Sequence, residues 1–305
     1  MNSSPKVSVV IPTYNNAQLL HETLDGVRSQ SFQDFEIIVV DDGSTDNTEQ
    51  IVRGYDAKIR YVKQANQGPA AARNHGVALA QGEFIAFLDH DDIWNDRHLE
   101  TLLAGFARYP AAAMVFDDAE AFGVGVAPGA NHVDPKVARS LLDRPVPIRR
   151  VWECWVASMS VVMVKKTIFH EIGGLHPKIW GLDDLHFYLR LAARFEVRFA
   201  DYIGCRKRQT ATNLLGLVGL TGSVDYLVDL QRNHLEVVRA VGSMRVRRRL
   251  GHKRYKLGLI CLRKGDLAAA RALLWKAYRH NPLNLKYLWR FMQAKQSHPR
   301  VAYGK

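Results

Sequence analysis

The chain has 305 residues, of which 47% are hydrophobic and 24% are charged, so it contains enough apolar side chains for a large globular core. Its net charge of +12 would suit a nucleic-acid-binding protein, but residues 1–230 carry 23 Lys and Arg against 28 Asp and Glu, whereas residues 231–305 carry 19 against 2. Because no recognisable nucleic-acid-binding module accompanies this basic last quarter, we expect no nucleic-acid partner.

The first 117 residues alternate between short apolar runs and helix-like segments, which predicts βαβ units and a mostly parallel, Rossmann-like sheet over roughly residues 5–117. The predicted strands are Val7–Ile11, Phe35–Val40, Ile59–Val62 and Phe84–Leu88. The predicted helices cover residues 19–27, 49–53, 69–80 and 96–109. Polar clusters follow the strand ends, where such sheets bind ligands, at Pro12–Asn15, Asp41–Ser44, Asn66–Gly68 and Asp89–Asp92.

The rest of the chain is less regular. We predict an irregular segment over residues 118–150, a strand at Val151–Lys165, a helix at Asp183–Phe195 and a loop at Thr210–Gly222. These elements predict one domain over residues 1–223, with a first half at 5–117 and a second half at 118–223. Residues 224–305 would form a basic helical region, whose Leu, Gly, Ala and Pro spacing is similar to one tetratricopeptide-type helix pair.

The cysteines and the apolar stretches of the sequence indicate the cellular compartment. Cys154, Cys205 and Cys261 fit neither a disulfide framework nor a metal-ligand spacing, which indicates a reducing compartment. The N-terminal residues lack a signal-peptide pattern, and the apolar stretch Val151–Val164 is shorter than the ~20 residues that cross a bilayer. We therefore expect a cytoplasmic protein, or one bound peripherally to the inner face of a membrane.

The sequence Asp89-His90-Asp91-Asp92 directly follows the apolar run Phe84–Leu88. Two carboxylates one residue apart at a strand end can share a hard divalent cation, which would neutralise a diphosphate leaving group. An acidic turn that caps the next helix explains the same residues equally well when they are considered alone.

Four motifs in order resemble family 2 glycosyltransferases of the GT-A fold over about residues 5–210. They are VSVVIPTYN at Val7–Asn15, VVDDGSTD at Val39–Asp46, NQG with ARN at 66–74, and FLDHDD at Phe87–Asp92. The resemblance implies an α/β GT-A fold and an inverting transfer of sugar from a nucleotide diphosphate donor, with UDP expected as the carrier. It also implies Mg²⁺ or Mn²⁺ as cofactor and a saccharide or lipid-linked acceptor.

The resemblance implies specific site residues. The nucleotide-sugar-binding residues would be Pro12, Thr13, Tyr14, Asn15, Asp42, Asn66, Arg73, Asp89 and His90. Asp89 and Asp91 would form the DXD motif that holds the metal, and Asp42 would accept a hydrogen bond from a uracil-type base because a carboxylate is an acceptor only.

The acceptor side of the resemblance lies at Asp183-Asp184. Asp184 matches the general base, which would take the proton of the acceptor hydroxyl. Asp183 stands where the family usually has Glu, so both carboxylates remain catalytic candidates; two aspartates favoured at a helix N-terminus are the structural alternative. Arg208 replaces the family's histidine in the segment Arg206–Arg208, and its charge either substitutes for that histidine or belongs to a surface run.

Two other functions remain open: a nucleotidyltransferase on a similar scaffold, and a non-catalytic nucleotide-sugar-binding protein. The first leaves Asp184 without a role, and intact Asp89, Asp91 and Asp184 argue against the second. In the tail, seven cations fall within residues 245–256. They suit an anionic membrane surface, an anionic glycan, a protein partner, or a merely solvated helical face.

Overall fold

The computed structural model describes residues 4–55, 59–125, 131, 133–154, 157–209 and 217–296. The chain divides into two compact units. The first comprises Met1–Lys178 with Asp183–Asn213, and the second comprises Ile179–Leu182 with Leu214–Lys305. The domain boundary predicted at residue 223 stays a prediction.

One eight-stranded sheet forms the centre of the first unit. Its strands are β1 Val7–Thr13, β2 Phe35–Asp41, β3 Arg60–Lys63, β4 Phe84–Phe87, β5 Ile93–Trp94, β6 Ala112–Gly123, β7 Val162–Lys165 and β8 Glu196–Gln209. They lie in the order β3-β2-β1-β4-β7-β6-β8-β5. β1 pairs in parallel with β2 and β4, β2 with β3, and β6 with β8, whereas β7 and β5 pair antiparallel to their neighbours. The predicted mixed, mostly parallel sheet is confirmed.

Helices flank this sheet. Those of the first unit are α1 Ala17–Arg28, α2 Thr48–Tyr55, α3 Pro69–Leu79, α4 His98–Arg108, α5 Pro135–Leu141, α6 Ile148–Cys154, α7 Lys166–Glu171 and α8 Asp183–Ala192. Every residue of β1 and β4 is buried, because helices cover both faces of a parallel sheet. This burial explains why these strands are mostly apolar and do not alternate between apolar and polar residues.

Three predictions about the second half are wrong. Val151–Lys165 is not one strand: α6 ends at Cys154, a short 3-10 helix covers Met159–Val161, and only Val162–Lys165 is extended. The segment 118–150 is not wholly irregular, because β6 continues to Gly123 and α5 and α6 follow. Within the predicted loop Thr210–Gly222, residues 217–222 are helical, and residues 210–216 lie outside the described residues.

The described part of the second unit is helical. Its helices are α9 Leu217–Asn233, α10 Leu235–Val241, α11 Ser243–Arg263, α12 Leu267–His280 and α13 Leu285–Gln296. Tyr255, Leu274 and Tyr287 are buried in a core shared by α11, α12 and α13. Gly258 lets α11 approach α12 closely, since a Cβ there would lie 2.9 Å from the Leu274 side chain. No helix among the described residues is both long and apolar enough to cross a membrane.

The packing of α3 against the sheet depends on Gly76, which lies within that helix. A Cβ at this position would overlap the Val10 side chain of β1 and lie 3.2 Å from Val40 of β2. We expect Gly76→Ala to lower the free energy of unfolding by about 1–3 kcal/mol through overpacking, measured by urea denaturation followed by circular dichroism. Gly54→Ala is the matched control, because a Cβ at Gly54 of α2 meets nothing within 4 Å. Equal unfolding midpoints for the two variants would contradict this packing.

Candidate active site

An acidic cluster lies just beyond β4, at the edge of the sheet where the parallel strands end. Its members are Asp89, Asp91, Asp92, Asp183 and Asp184. The first three follow β4, and the other two occupy the first turn of α8. The fold therefore brings together two motifs that are about ninety residues apart in the sequence.

Arg73 of α3 joins the two halves of this cluster. Its guanidinium Nη2 lies 2.5 Å from Asp89 Oδ1, and its Nη1 lies 3.2 Å from Asp183 Oδ2. Both Arg73 and Asp183 are buried. Burial alone would raise the pKa of Asp89, but the charges of Arg73 and Lys207 outweigh it and lower this pKa to about 2. Asp89 is thus held ionised by two cations.

Asp92 is the structural member of the cluster. Its Oδ2 accepts a hydrogen bond from Ser160 Oγ at 2.6 Å and lies 3.2 Å from Lys207 Nζ. Its Oδ1 accepts from the Arg208 backbone N–H at 3.0 Å. Burial and repulsion from Asp89 nevertheless raise the pKa of Asp92 to about 6, against the attraction of Lys207. These contacts tie β8 to the acidic turn.

Lys207, and not Arg208, is the cation of β8 that faces the carboxylates. Side chains alternate between the two faces of a strand. Lys207 lies 3.8 Å from Asp89 Oδ2, whereas the guanidinium of Arg208 stacks over the Phe122 ring and pairs with Glu22 at 2.9 Å. Arg208 contacts the motif through the Asp91 carbonyl oxygen at 3.0 Å. Whether a cation of this segment substitutes for the histidine stays a prediction.

Asp91 is the carboxylate of the cluster that suits a metal ligand. No hydrogen bond or ion pair joins its carboxylate to another residue in the described part of the chain. Burial and repulsion from Asp89 raise its pKa. Carboxylate oxygens are the donors that Mg²⁺ and Mn²⁺ prefer, and a cation would relieve this repulsion. The residues present therefore fit a divalent cation held through Asp91, with Asp89 beside it.

Asp184 differs from Asp183 in its partners. Asp183 is paired with Arg73, whereas no ion pair involves Asp184 among the described residues. Burial and the neighbouring charge of Asp183 raise the pKa of Asp184 to about 8. A part-buried carboxylate with a raised pKa and no paired cation can accept a proton near neutral pH. Of the two candidate bases, Asp184 has the chemistry that a base requires.

Asp42 holds the loop that leads into α3. Its Oδ1 accepts hydrogen bonds from Gln64 Nε2 at 2.8 Å and from the Gln67 N–H at 2.9 Å. Its Oδ2 accepts from the Gly68 N–H at 2.7 Å. Since a carboxylate offers about four acceptor positions, these three bonds leave roughly one for a ligand. The expected contact of Asp42 with a nucleobase stays a prediction.

Most of the remaining predicted residues lie at the end of β1, in the loop that follows it, and in the acidic turn after β4. Tyr14 is 46% exposed, so its ring is accessible for stacking with a nucleobase. Asn15 adopts a φ of 47°, a conformation that asparagine tolerates, and its Oδ1 accepts from the Thr45 N–H at 2.7 Å. His90 Nδ1 lies 3.2 Å from the carbonyl oxygen of buried Pro12. Tyr14 is therefore at the surface. Its neighbours Asn15 and Pro12 connect the end of β1 to the segments that follow β2 and β4.

Thr13 is buried, and its hydroxyl has no hydrogen-bond partner among the residues that the structure describes. Asn66 is exposed, on the loop that Asp42 holds. Sequence reasoning missed Ser160, because it lies in the segment wrongly predicted as one strand. A hydroxyl residue within the apolar run Met159–Val164 was the signal that could have identified it.

The first half of the chain matches a known family. Residues 8–158 match the family model "Glycosyl transferase family 2". "Glycosyltransferase GlyG" of Streptococcus pneumoniae is 43% identical over 103 residues, which are 32% of this chain and 34% of that protein. A Campylobacter jejuni "GalNAc(5)-diNAcBac-PP-undecaprenol beta-1,3-glucosyltransferase" is 41% identical over 104 residues, again 32% and 34%. Through residues 8–158 the chain belongs to glycosyl transferase family 2.

These alignments span about a third or less of the length of the curated relatives. Solved structures extend the likeness of fold over nearly the whole chain. Staphylococcus aureus TarS 1-349 in complex with UDP-GlcNAc has a TM-score of 0.69 at 18% identity, over 95% of this chain and 89% of that one. A Pyrobaculum calidifontis mannosyltransferase in complex with GDP-Man and Mn²⁺ has a TM-score of 0.60 at 21% identity, over 96% and 85%. The predicted GT-A fold with C-terminal helices is confirmed.

The raised pKa of Asp184 makes stability depend on pH. Between its ordinary value of 3.8 and about 8, the folded protein binds more protons at Asp184 than the unfolded chain does, so this group lowers stability as pH rises through that range. We expect Asp184→Asn to raise the free energy of unfolding by about 1–2 kcal/mol at pH 8 relative to pH 4. This value is below the full shift, because the side chain is part-exposed and water screens it.

The measurement is thermal unfolding of metal-free protein at both pH values. Exposed Asp34→Asn is the control, and its difference from the wild type should be the same at pH 4 and pH 8. If Asp184→Asn behaved like this control, Asp184 would not have the raised pKa on which its assignment as base depends.

Proposed function

We propose that this protein is an inverting glycosyltransferase that transfers a sugar from a nucleotide diphosphate donor to a hydroxyl group of an acceptor. The observation that supports it most directly is the arrangement around Arg73. This one guanidinium pairs with Asp89 of the DXD motif and with Asp183. The adjacent Asp184 accepts a hydrogen bond from the Leu185 N–H at 2.6 Å and forms no ion pair among the described residues. A donor-binding motif and a candidate base therefore adjoin one site, as a transfer reaction requires.

The donor would lie along the ends of β1, β2 and β4. Tyr14 would pack on the nucleobase, and Asp42 would accept a hydrogen bond from it. Asn66 and Arg73 would approach the ribose and the diphosphate. Complexes of the similar folds with UDP-GlcNAc and with GDP-Man make both uracil and guanine carriers reasonable, and we propose UDP because Asp42 suits an imide donor.

A divalent cation, Mg²⁺ or Mn²⁺, would supply positive charge to the leaving diphosphate when it is bound. Asp91 would hold it, because its carboxylate is unpaired, and Asp89 would stand beside it. Arg73 and Lys207 keep Asp89 ionised, so that its oxygens remain available as ligands.

Asp184 would act on the acceptor. Its carboxylate would take the proton of the acceptor hydroxyl while that oxygen attacks the anomeric carbon from the face opposite the diphosphate. The bond from the anomeric carbon to the diphosphate oxygen breaks, and its electron pair leaves with the nucleoside diphosphate. A single displacement of this kind inverts the anomeric configuration.

The acceptor is proposed to be a saccharide or a lipid-linked saccharide, within polysaccharide or glycolipid biosynthesis. The Campylobacter relative is named for an undecaprenol-linked acceptor, which supports this class. The rival functions differ in what they leave unexplained. A nucleotidyltransferase gives Asp184 no role, and a non-catalytic binding protein gives no reason for an unpaired carboxylate with a raised pKa.

Two substitutions separate donor binding from transfer. Asp91→Ala should abolish metal-dependent donor binding, because it removes the unpaired ligand. Asp184→Asn should retain donor binding and lower the rate of transfer about a hundredfold or more, as expected when a general base is lost. Donor binding is measured by calorimetry, and transfer by release of the nucleoside diphosphate in the presence of acceptor.

Asp34→Asn serves as the control for both assays, since this exposed carboxylate lies before β2. Normal transfer by Asp184→Asn would refute its assignment as base. Unchanged metal-dependent binding by Asp91→Ala would refute the metal assignment and leave the base assignment intact.

A further inference from the structure

The loop between α12 and α13 exposes two leucines at one end of the second unit. Leu283 is 84% exposed and Leu285 is 71% exposed. The loop is short and ordered by its own backbone, because the Asn284 N–H donates to the Asn281 carbonyl oxygen at 3.0 Å. The two leucines are two residues apart in the sequence, and both are exposed at a structured turn. Exposed aliphatic side chains of this kind suit a partner that removes them from water.

Four cations lie on the segments that meet at this loop. Arg247 of α11 donates to the Arg279 carbonyl oxygen at 3.4 Å, which brings the N-terminal part of α11 beside the end of α12. Arg254 Nη1 lies 3.1 Å from His280 Nε2. Lys286 lies next to Leu285 and stands 6.0 Å above the Tyr255 ring. We call Leu283, Leu285 and the four cations Arg247, Arg254, Arg279 and Lys286 the loop-end surface.

No acid neutralises this surface. Residues 231–305 contain two acids, Glu236 and Asp266. Glu236 lies 3.5 Å from His234, and Asp266 caps α12 by accepting the Ala269 N–H at 3.0 Å. In the part of the chain that the structure describes, none of the four cations forms an ion pair with a carboxylate. The positive charge is therefore uncompensated within the described residues.

The pKa of the neighbouring His280 is affected by the same cations. Burial, followed by the charges of Arg254 and Arg247, lowers the pKa of His280. Further along α11, burial and then the charges of Arg249 and Lys256 lower the pKa of Lys253. In both cases burial is the larger cause, and the neighbouring cations add to it.

We propose that the loop-end surface docks on an anionic lipid bilayer, with Leu283 and Leu285 in the interfacial layer and the four cations among the headgroups. The leucines favour a bilayer over a nucleic acid, because a polyphosphate backbone offers nothing for aliphatic side chains to bury against. Apolar burial and headgroup attraction act together at such surfaces. The proposal adds to the proposed transferase a way to reach a lipid-linked acceptor.

Vesicle flotation of the full chain tests this, without donor, acceptor or metal, so that its failure leaves the transfer proposal standing. The vesicles contain phosphatidylglycerol and phosphatidylcholine in equal parts, or phosphatidylcholine alone. We expect partition onto the mixed vesicles, and little onto the neutral ones. Leu283→Ser/Leu285→Ser and Arg247→Gln/Lys286→Gln should each weaken this partition about tenfold.

Matched controls separate this surface from diffuse charge. Arg263→Gln/Lys264→Gln removes the same charge at the C-terminal end of α11, where Arg263 lies about 24 Å from Arg247 along the helix axis. Leu235→Ser removes another exposed leucine of the same unit. Both controls should partition like the wild type. Circular dichroism confirms that each variant is folded.

Three results would overturn the proposal: no partition onto the mixed vesicles, equal losses in the control and test variants, or loss in the charge variant without loss in the leucine variant. The last result, together with binding to a DNA duplex, would indicate a polyanion partner.

Discussion

The pairing of Arg73 with Asp89 and Asp183 is the interaction on which the site depends. Five carboxylates gather at one edge of the sheet, and two cations, buried Arg73 and part-buried Lys207, face them. Removing one partner from such a cluster would leave buried charge uncompensated, which is costly. Burial and the neighbouring charge of Asp183 raise the pKa of Asp184, whereas the charges of Arg73 and Lys207 lower that of Asp89. The proposed base and the proposed metal ligands therefore belong to one cluster of charges.

Much of the fold could be predicted from the sequence where the strands are buried on both faces. β1, β2 and β4 are mostly apolar, and the structure places their ends within two residues of prediction. The second half was harder to predict, because apolar content alone does not distinguish a buried helix from a strand. That ambiguity produced the single strand predicted at Val151–Lys165. β8 was missed since many of its fourteen residues are polar and only part-buried.

The motifs of the candidate site were visible in the sequence, but their partners were not. The acidic turn after β4 and the pair Asp183-Asp184 were identified as residues, while their junction through Arg73 depends on how α3 and α8 meet. The role of Lys207 depends on strand alternation within β8, which was itself unpredicted. The loop-end surface could be anticipated only as net charge, because the exposure of Leu283 follows from the turn between two helices. Local pattern therefore identified the candidate residues, and tertiary contacts decided which of them we propose for each role.

Calorimetric titration of the wild-type protein with UDP, GDP and dTDP, each with Mn²⁺ and with a chelator, tests the central claim most directly. The carboxylates of the acidic cluster repel one another, and the Asp91 carboxylate has no hydrogen-bond or ion-pair partner among the described residues. We therefore predict that one diphosphate, UDP, binds with Mn²⁺ and that its binding is lost with the chelator. Binding of no diphosphate in a metal-dependent way would contradict the account and would favour a structural role for the acidic cluster.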